Sequence, residues 1–185
     1  MFVVRTPARS AAVDADRREF GLLGKRQAGG LALARPTAAG GRSRAVLDLE
    51  QDDAGARSRA LLGGEFVPGE GDRLDWRVRC WESVRPAPRQ GLLPGALLPG
   101  LPEGLDDAVL GVLRPVADRG ALPAGHLVID RAGYGPESSP DLFGTAAELL
   151  LHVLLAGAFG SPADPLVTSW TATGRAPGDP EDRCR

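Results

Sequence analysis

The sequence predicts an α/β fold, an α+β sandwich in which two helices each turn one apolar face to a small mixed sheet, with flexible segments at both ends. Three observations predict it. LDWRVRCWE at 74–82 alternates with a period of two, Leu105–Val116 spaces its apolar residues at helical intervals, and Ser139-Pro140-Asp141 opens a long apolar run. At 185 residues the chain suits one core-bearing domain with attached tails. Its 25 Gly and 16 Pro set against 43% hydrophobic residues predict a core interrupted by long loops.

In chain order, residues 1–43 mix small, basic and Gly/Pro segments without a sustained period, which predicts a flexible basic arm holding a short helix near Ala15–Leu23. A single domain is expected over 44–172. Arg44–Glu50 sets Ala45, Leu47 and Leu49 against Val46, Asp48 and Glu50, a strand pattern, and QDDAGARSRALLGG after it reads as a connection or short helix. In the strand at 74–82, Leu74, Trp76, Val78 and Cys80 share one face and Asp75, Arg77 and Arg79 the other. Trp81 breaks the alternation.

RPAPRQGLLPGALLPGLPEG is a loop by its breakers. Leu105, Val109, Val112, Leu113 and Val116 then form the stripe of an amphipathic helix that should end or kink at Pro115. His126–Ile129 reads as a short buried strand ending at Asp130. Ser139, Pro140 and Asp141 supply a helix cap: a hydroxyl for an orphan amide, a proline at the first helical position and an acid at the positive dipole end. Gly157 suits the stop. LVTSWTA after Pro165 reads as a last strand, and 173–185 as a disordered tail.

Residues 1–44 carry nine basic side chains against Asp14, Asp16 and Glu19, a local +6 in a chain of formal net charge −2, which leaves −8 elsewhere. A basic arm on an acidic body has two readings, a solvated tail or a contact to RNA phosphates. Lys25 is the only lysine, so the other basic residues are arginines. That bias, with abundant Ala, Gly and Pro, follows from a GC-rich coding sequence and is no evidence of phosphate binding by itself. Cys80 and Cys184 are too few for a disulfide framework or a metal knuckle, which points to a reduced, cytoplasmic setting with no metal and no cofactor. MFVVRTPARS lacks the apolar stretch of a signal peptide, and His152 interrupts the Leu149–Leu155 run, so no membrane span is expected.

Ser138 and Ser139 pose the chemical question. A serine nucleophile needs a base within hydrogen-bond reach. His152 lies thirteen residues along the same helix, roughly 20 Å away, and no GxSxG elbow frames the pair. A structural cap by Ser139 and Pro140 is the simpler account, with no catalytic residue. GLLGKR at 21–26 fails as a phosphate loop because Glu19 and Arg26 stand where glycine and a hydroxyl are required, so no nucleotide is expected. Asp52–Asp53 and Asp106–Asp107 read as turn or helix-start decoration. Trp76 and Trp81 have the surface to stack on bases, but strand spacing puts Trp76 in the core.

ESSPDLFGTAAELLL resembles the fourth domain of elongation factor G and of the related tetracycline-resistance ribosomal protection proteins. Ser138, Ser139, Pro140, Phe143, Ala146 and Ala147 keep the family's register at the opening of a long helix. LPEGLDDAVLGVLRPVADRGAL is similar to the family's other helix, and AGAFGSPADPLV to its exit. The resemblance spans about 64–167. It implies a βαβ-rich sandwich with a left-handed crossover, helices on one sheet face, and a tip loop that reaches a ribosomal RNA site. Carried to this sequence, the contact residues are Arg131, Tyr134 and Glu137. Three departures stand out: a shorter stretch before the serines, a tip reading RAGYGPE without histidine, and no GTPase domain.

Two functional readings stay open. One is a non-enzymatic, translation-factor-like domain that contacts ribosome or RNA. The other is a homo-oligomer or protein-interaction module built on the helix at 140–156, where Leu149, Leu151 and Leu155 extend the apolar surface almost all round and call for cover from a neighbouring segment or another chain. An enzyme using Ser139 or the acid pairs is a third possibility, and it requires a base near the serine.

Overall fold

The computed structural model describes residues 1–14, 20, 26–37, 40–53, 55–80 and 87–175, without the side chains of Arg26 and Cys80. Two antiparallel strands, β1 (Phe2–Arg5) and β2 (Arg9–Asp14), open the chain, followed by β3 (Arg26–Leu33). The long hairpin β4 (Ser43–Asp53) and β5 (Ala56–Pro68) comes next, then β6 (Arg73–Cys80) and the short pair β7 (Arg89–Gln90) and β8 (Ala96–Pro99). Helix α1 (Leu105–Asp118), strand β9 (Gly125–Tyr134), and helices α2 (Pro140–Ala158) and α3 (Asp164–Thr173) complete it.

The nine strands form one mixed, open sheet with the main order β1-β2-β4-β5-β9-β6-β3, and β8 joins the end of β9. Among the described strands only β6 and β9 run parallel, and α1 lies between them in the chain, as a crossover requires. The α+β expectation is met, with more strands than the sequence predicts and a third helix, α3, where it predicts a strand. Three helices lie on one face: α3 over β1 and β2, α2 over β4 and β5, α1 over β6 and β3. Their apolar residues and those of the sheet merge into one core that includes Leu47, Leu62, Trp76, Ile129, Val109, Phe143, Leu150 and Trp170.

Local chemistry explains the elements that were foreseen. Ser139 is extended (φ −114°, ψ 147°) and its Oγ accepts the Leu142 amide at 3.3 Å, with Pro140 in the first turn. Ala146, Ala147, Leu150 and Leu154 are buried as the period requires, and Leu149 and Leu151 are buried too, with α1 and α3 packed along the same helix. The chain's own segments therefore cover the apolar circumference of α2. By length and composition Pro140–Ala158 could cross a membrane, a test it passes against the sequence reading, yet ten of its residues are buried within the protein.

Several expectations need correction. The arm over 1–43 contains three sheet strands, because β2 pairs with β4 and β3 with β6, partners invisible to a local period. QDDAGARSRALLGG is no helix but the end of β4, the turn and most of β5: Gly55 takes φ 92° and donates to Asp52 Oδ1 at 2.9 Å, closing the hairpin. The loop at 87–104 holds β7 and β8. The strand at 126–129 extends to Tyr134, and its pairing with β5 shifts between Gly63 and Gly64 so that Asp130 is the extra residue. That bulge lets Leu127 and Ile129, then Ala132, all face the core.

Helix α1 passes Pro115 and ends at Asp118, since a proline near the last turn costs one hydrogen bond and leaves the rest. The stop of α2 belongs to Gly160 (φ 71°) rather than Gly157, where a methyl group would collide with Ser43 Oγ. LVTSWTA lies in α3, not a strand: Val167, Trp170 and Thr171 are buried at helical spacing over β1 and β2, and packing overrides strand propensity. The expected helix at 15–23, apart from buried Phe20, together with Lys25, Trp81 and residues 176–185, lies outside the described residues.

Candidate functional site

Several loops meet at the end of the sheet where β9 stops. Tyr134 pairs with Ala60 and with Leu98, and the chain then turns through 135–139 into α2. Ser138 tethers this turn: its hydroxyl donates to the Arg59 carbonyl and accepts the Gly135 amide at 2.8 Å. Ser58 Oγ donates to Ser139 Oγ at 3.1 Å. The two serines thus join β5 to the start of α2. His152 Nδ1 is 2.8 Å from the Glu148 carbonyl of its own helix. His126 sits at the opposite end of β9, eight residues or roughly 26 Å before Tyr134.

On the face opposite α1, α2 and α3, Asp48 and Arg59 form a buried pair, diagonal neighbours across the β4–β5 ladder. Arg59 Nε donates to Asp48 Oδ1 at 2.9 Å and Nη2 to Oδ2 at 2.7 Å. The remaining capacity of both groups goes to one loop. Arg59 donates to the carbonyls of Leu93, Pro94 and Gly95, while Asp48 Oδ2 accepts the amides of Leu92 and Leu93. A small apolar cluster of Phe20, Val46, Leu61 and Leu97 packs on the same face. A methyl group at Gly91 would strike the Arg59 guanidinium and the Asp48 carboxylate, so that position must stay bare.

Beside this clamp lies an open cleft of about 220 Å3 lined by Arg5, Ser10, Glu50, Arg57, Leu93 and Pro94. The sheet register builds it: Arg5 stands opposite Ser10, Ser10 opposite Glu50, and Glu50 opposite Arg59, one row across four strands. Arg5 and Arg57 are exposed, and Arg57 reaches Asp52 only loosely, at 3.7 Å. Elsewhere on this face charges are engaged. Glu65 binds Arg42 at 2.6 Å and Arg44 at 2.7 Å. Burial pushes its carboxyl up, but the hydrogen bonds and charge of the two arginines outweigh that and hold it below its ordinary range. Asp75 is likewise held low, chiefly by its hydrogen bond from Arg77, with His126 at 3.6 Å assisting.

The residues assigned to the tip loop separate in the structure. Arg131 is not in a loop: it stands inside β9, buried, with Nη1 donating to Asp130 Oδ1 at 2.8 Å. Tyr134 closes the strand, half-buried against the main core. Of the three only Glu137 is exposed, in the turn at the end that carries Ser58 and Arg57. Of the acid pairs, Asp52 holds Gly55 and Asp53 accepts from Gln51, while Asp106 and Asp107 fall in the first turn of α1, Asp107 exposed but Asp106 buried. Among the described residues no three His, Cys, Asp or Glu side chains gather as a metal set.

Arg5, Ser10, Glu50 and Arg57 escape a sequence reading because four strands, two of them in the supposed arm, must first be aligned. The detectable signal is DDAG, a hairpin turn; with it placed, Glu50 falls opposite Arg59 by count alone. No protein-family model, curated protein or solved structure matches this chain. The fold and site define an α+β protein with helices on one sheet face and a charged cleft on the other.

Proposed function

We propose that this chain is a non-enzymatic domain, similar to the fourth domain of elongation factor G, that contacts RNA through the end of the sheet where Glu137, Arg5 and Arg57 lie. One observation carries the proposal. Two exposed guanidinium groups frame a cleft next to the 135–139 turn, while the serines of that turn are committed to capping and tethering. A planar guanidinium donates in pairs to phosphate oxygens, and Leu93 and Pro94 supply an apolar wall beside it. Glu50 and the acidic body repel a bare phosphate backbone, so contact is local and weakens steeply with salt.

Ribosome co-sedimentation and titration of a labelled single-stranded RNA at several salt concentrations test this. The Arg5→Ala/Arg57→Ala double variant should bind more weakly at every salt. Its log–log salt slope should be shallower by about 1.4, two single-strand phosphate contacts. Absence of binding at low salt, or an unchanged slope in the variant, retires the proposal.

A further inference from the structure

The sheet ends at β3, which pairs with β6 on one side and with no described strand on the other. Which of its backbone groups face outward follows from one hydrogen bond. Ala34 N donates to Asp72 O at 2.8 Å, continuing the β3–β6 register. In an antiparallel ladder such bonded pairs recur every second residue, so Ala32, Gly30 and Ala28 bond inward. Gln27, Gly29, Leu31 and Leu33 then aim their amides and carbonyls away from the sheet. The same four residues occupy the face opposite α1, α2 and α3, and Leu31 and Leu33 are 64% and 63% exposed. Natural edges are blunted by charge or proline. From Gln27 to Leu33 this edge carries neither.

An open edge of this kind is completed only by another extended strand, and the β3 sequence is complementary to itself. We propose that a second copy of this chain adds its own β3 antiparallel to the first, about a two-fold axis at Gly30. Gln27 then meets Leu33 of the second copy, and Gly29 meets Leu31. All four outward residues of each copy fall into bonded pairs. A one-residue slip sets outward groups of one copy against inward groups of the other. Moving the axis to Leu31 leaves Gln27 opposite a residue beyond the strand. At Gly30 the exposed Leu31 side chain covers the partner position that has none, Gly29. The sheet runs continuously through both copies, and Leu31 and Leu33 of each lose water against the facing strand.

Light scattering after size exclusion tests this on the full chain from roughly 1 to 100 μM, the range in which weak dimers dissociate. The expected mass rises to twice 19.3 kDa. Leu31→Lys, a charge placed on the edge, should return it to one chain with an unchanged circular dichroism spectrum. A single-chain mass throughout, or a dimer that survives in a folded Leu31→Lys protein, overturns the proposal. Amide exchange on the unmodified protein decides the matter if that variant fails to fold. At the highest concentration the amides of Gln27, Gly29, Leu31 and Leu33 should be protected to within about tenfold of those of Ala28, Gly30 and Ala32. Free exchange of the outward set overturns it.

Discussion

Ser139 and Asp48 are both polar residues set against apolar neighbours, and their environments give them unequal weight. Ser139 offers one acceptor to the Leu142 amide and one to Ser58 at a half-buried position. Ser139→Ala should cost about 1 kcal/mol. Phe143, fully buried under the same helix, should cost roughly 3–5 kcal/mol when cut to alanine. Urea unfolding of the two variants checks the ratio, and equal losses would contradict the capping role. Asp48 is fully buried and accepts from Arg59 and two loop amides. Asp48→Ala strands the guanidinium without its counter-charge, an expected loss of about 3–5 kcal/mol in the same measurement. The cap was legible because the amide it holds, Leu142, lies three residues on, whereas the bond from Ser58 was not. Asp48 was legible only as a polar position on a strand, since its partner stands eleven residues on, across a hairpin.

At the scale of elements, period decides what can be read. β6 and α1 each show water or loop on one side and core on the other, and α2 keeps a half-buried stripe through Glu148 and His152, so their patterns survive in the sequence. β5 does not: Leu61 packs in the small cluster and Leu62 in the main core, so both faces are covered at mid-strand and alternation disappears. β1, β2 and β3 are short or glycine-bearing strands stabilised by distant partners. The loop at 91–95 has no period; the Asp48–Arg59 pair holds it. Gly91→Ala should therefore displace that loop, with a stability loss of about 1–3 kcal/mol. Faster hydrogen exchange at the Leu92 and Leu93 amides, with the β4–β5 ladder unchanged, is the expected readout.

For the whole molecule, the charged face links stability to pH. Glu65 and Asp75 have carboxyls held below their ordinary values in the folded state. The unfolded chain therefore binds protons more tightly, and the contribution of both groups is complete above about pH 4–5, then lost as pH falls through the lowered folded values. In Arg42→Gln/Arg44→Gln the burial of Glu65 remains while both arginines are gone. Its carboxyl should rise, and the acid unfolding midpoint followed by tryptophan fluorescence should move to higher pH. An unmoved midpoint would show that the triad is too solvated to matter. By itself the sequence determined the α+β class, the cap and direction of α2, the stripe of α1 and the alternation of β6, because these depend on residues one to four positions apart. Only the tertiary structure decided the strand order, the helical state of α3, the placing of Arg131 inside a strand and the gathering of Arg5, Ser10, Glu50 and Arg57. Each of those depends on which distant strand an edge finds, and burial shared between far segments leaves no local period to read.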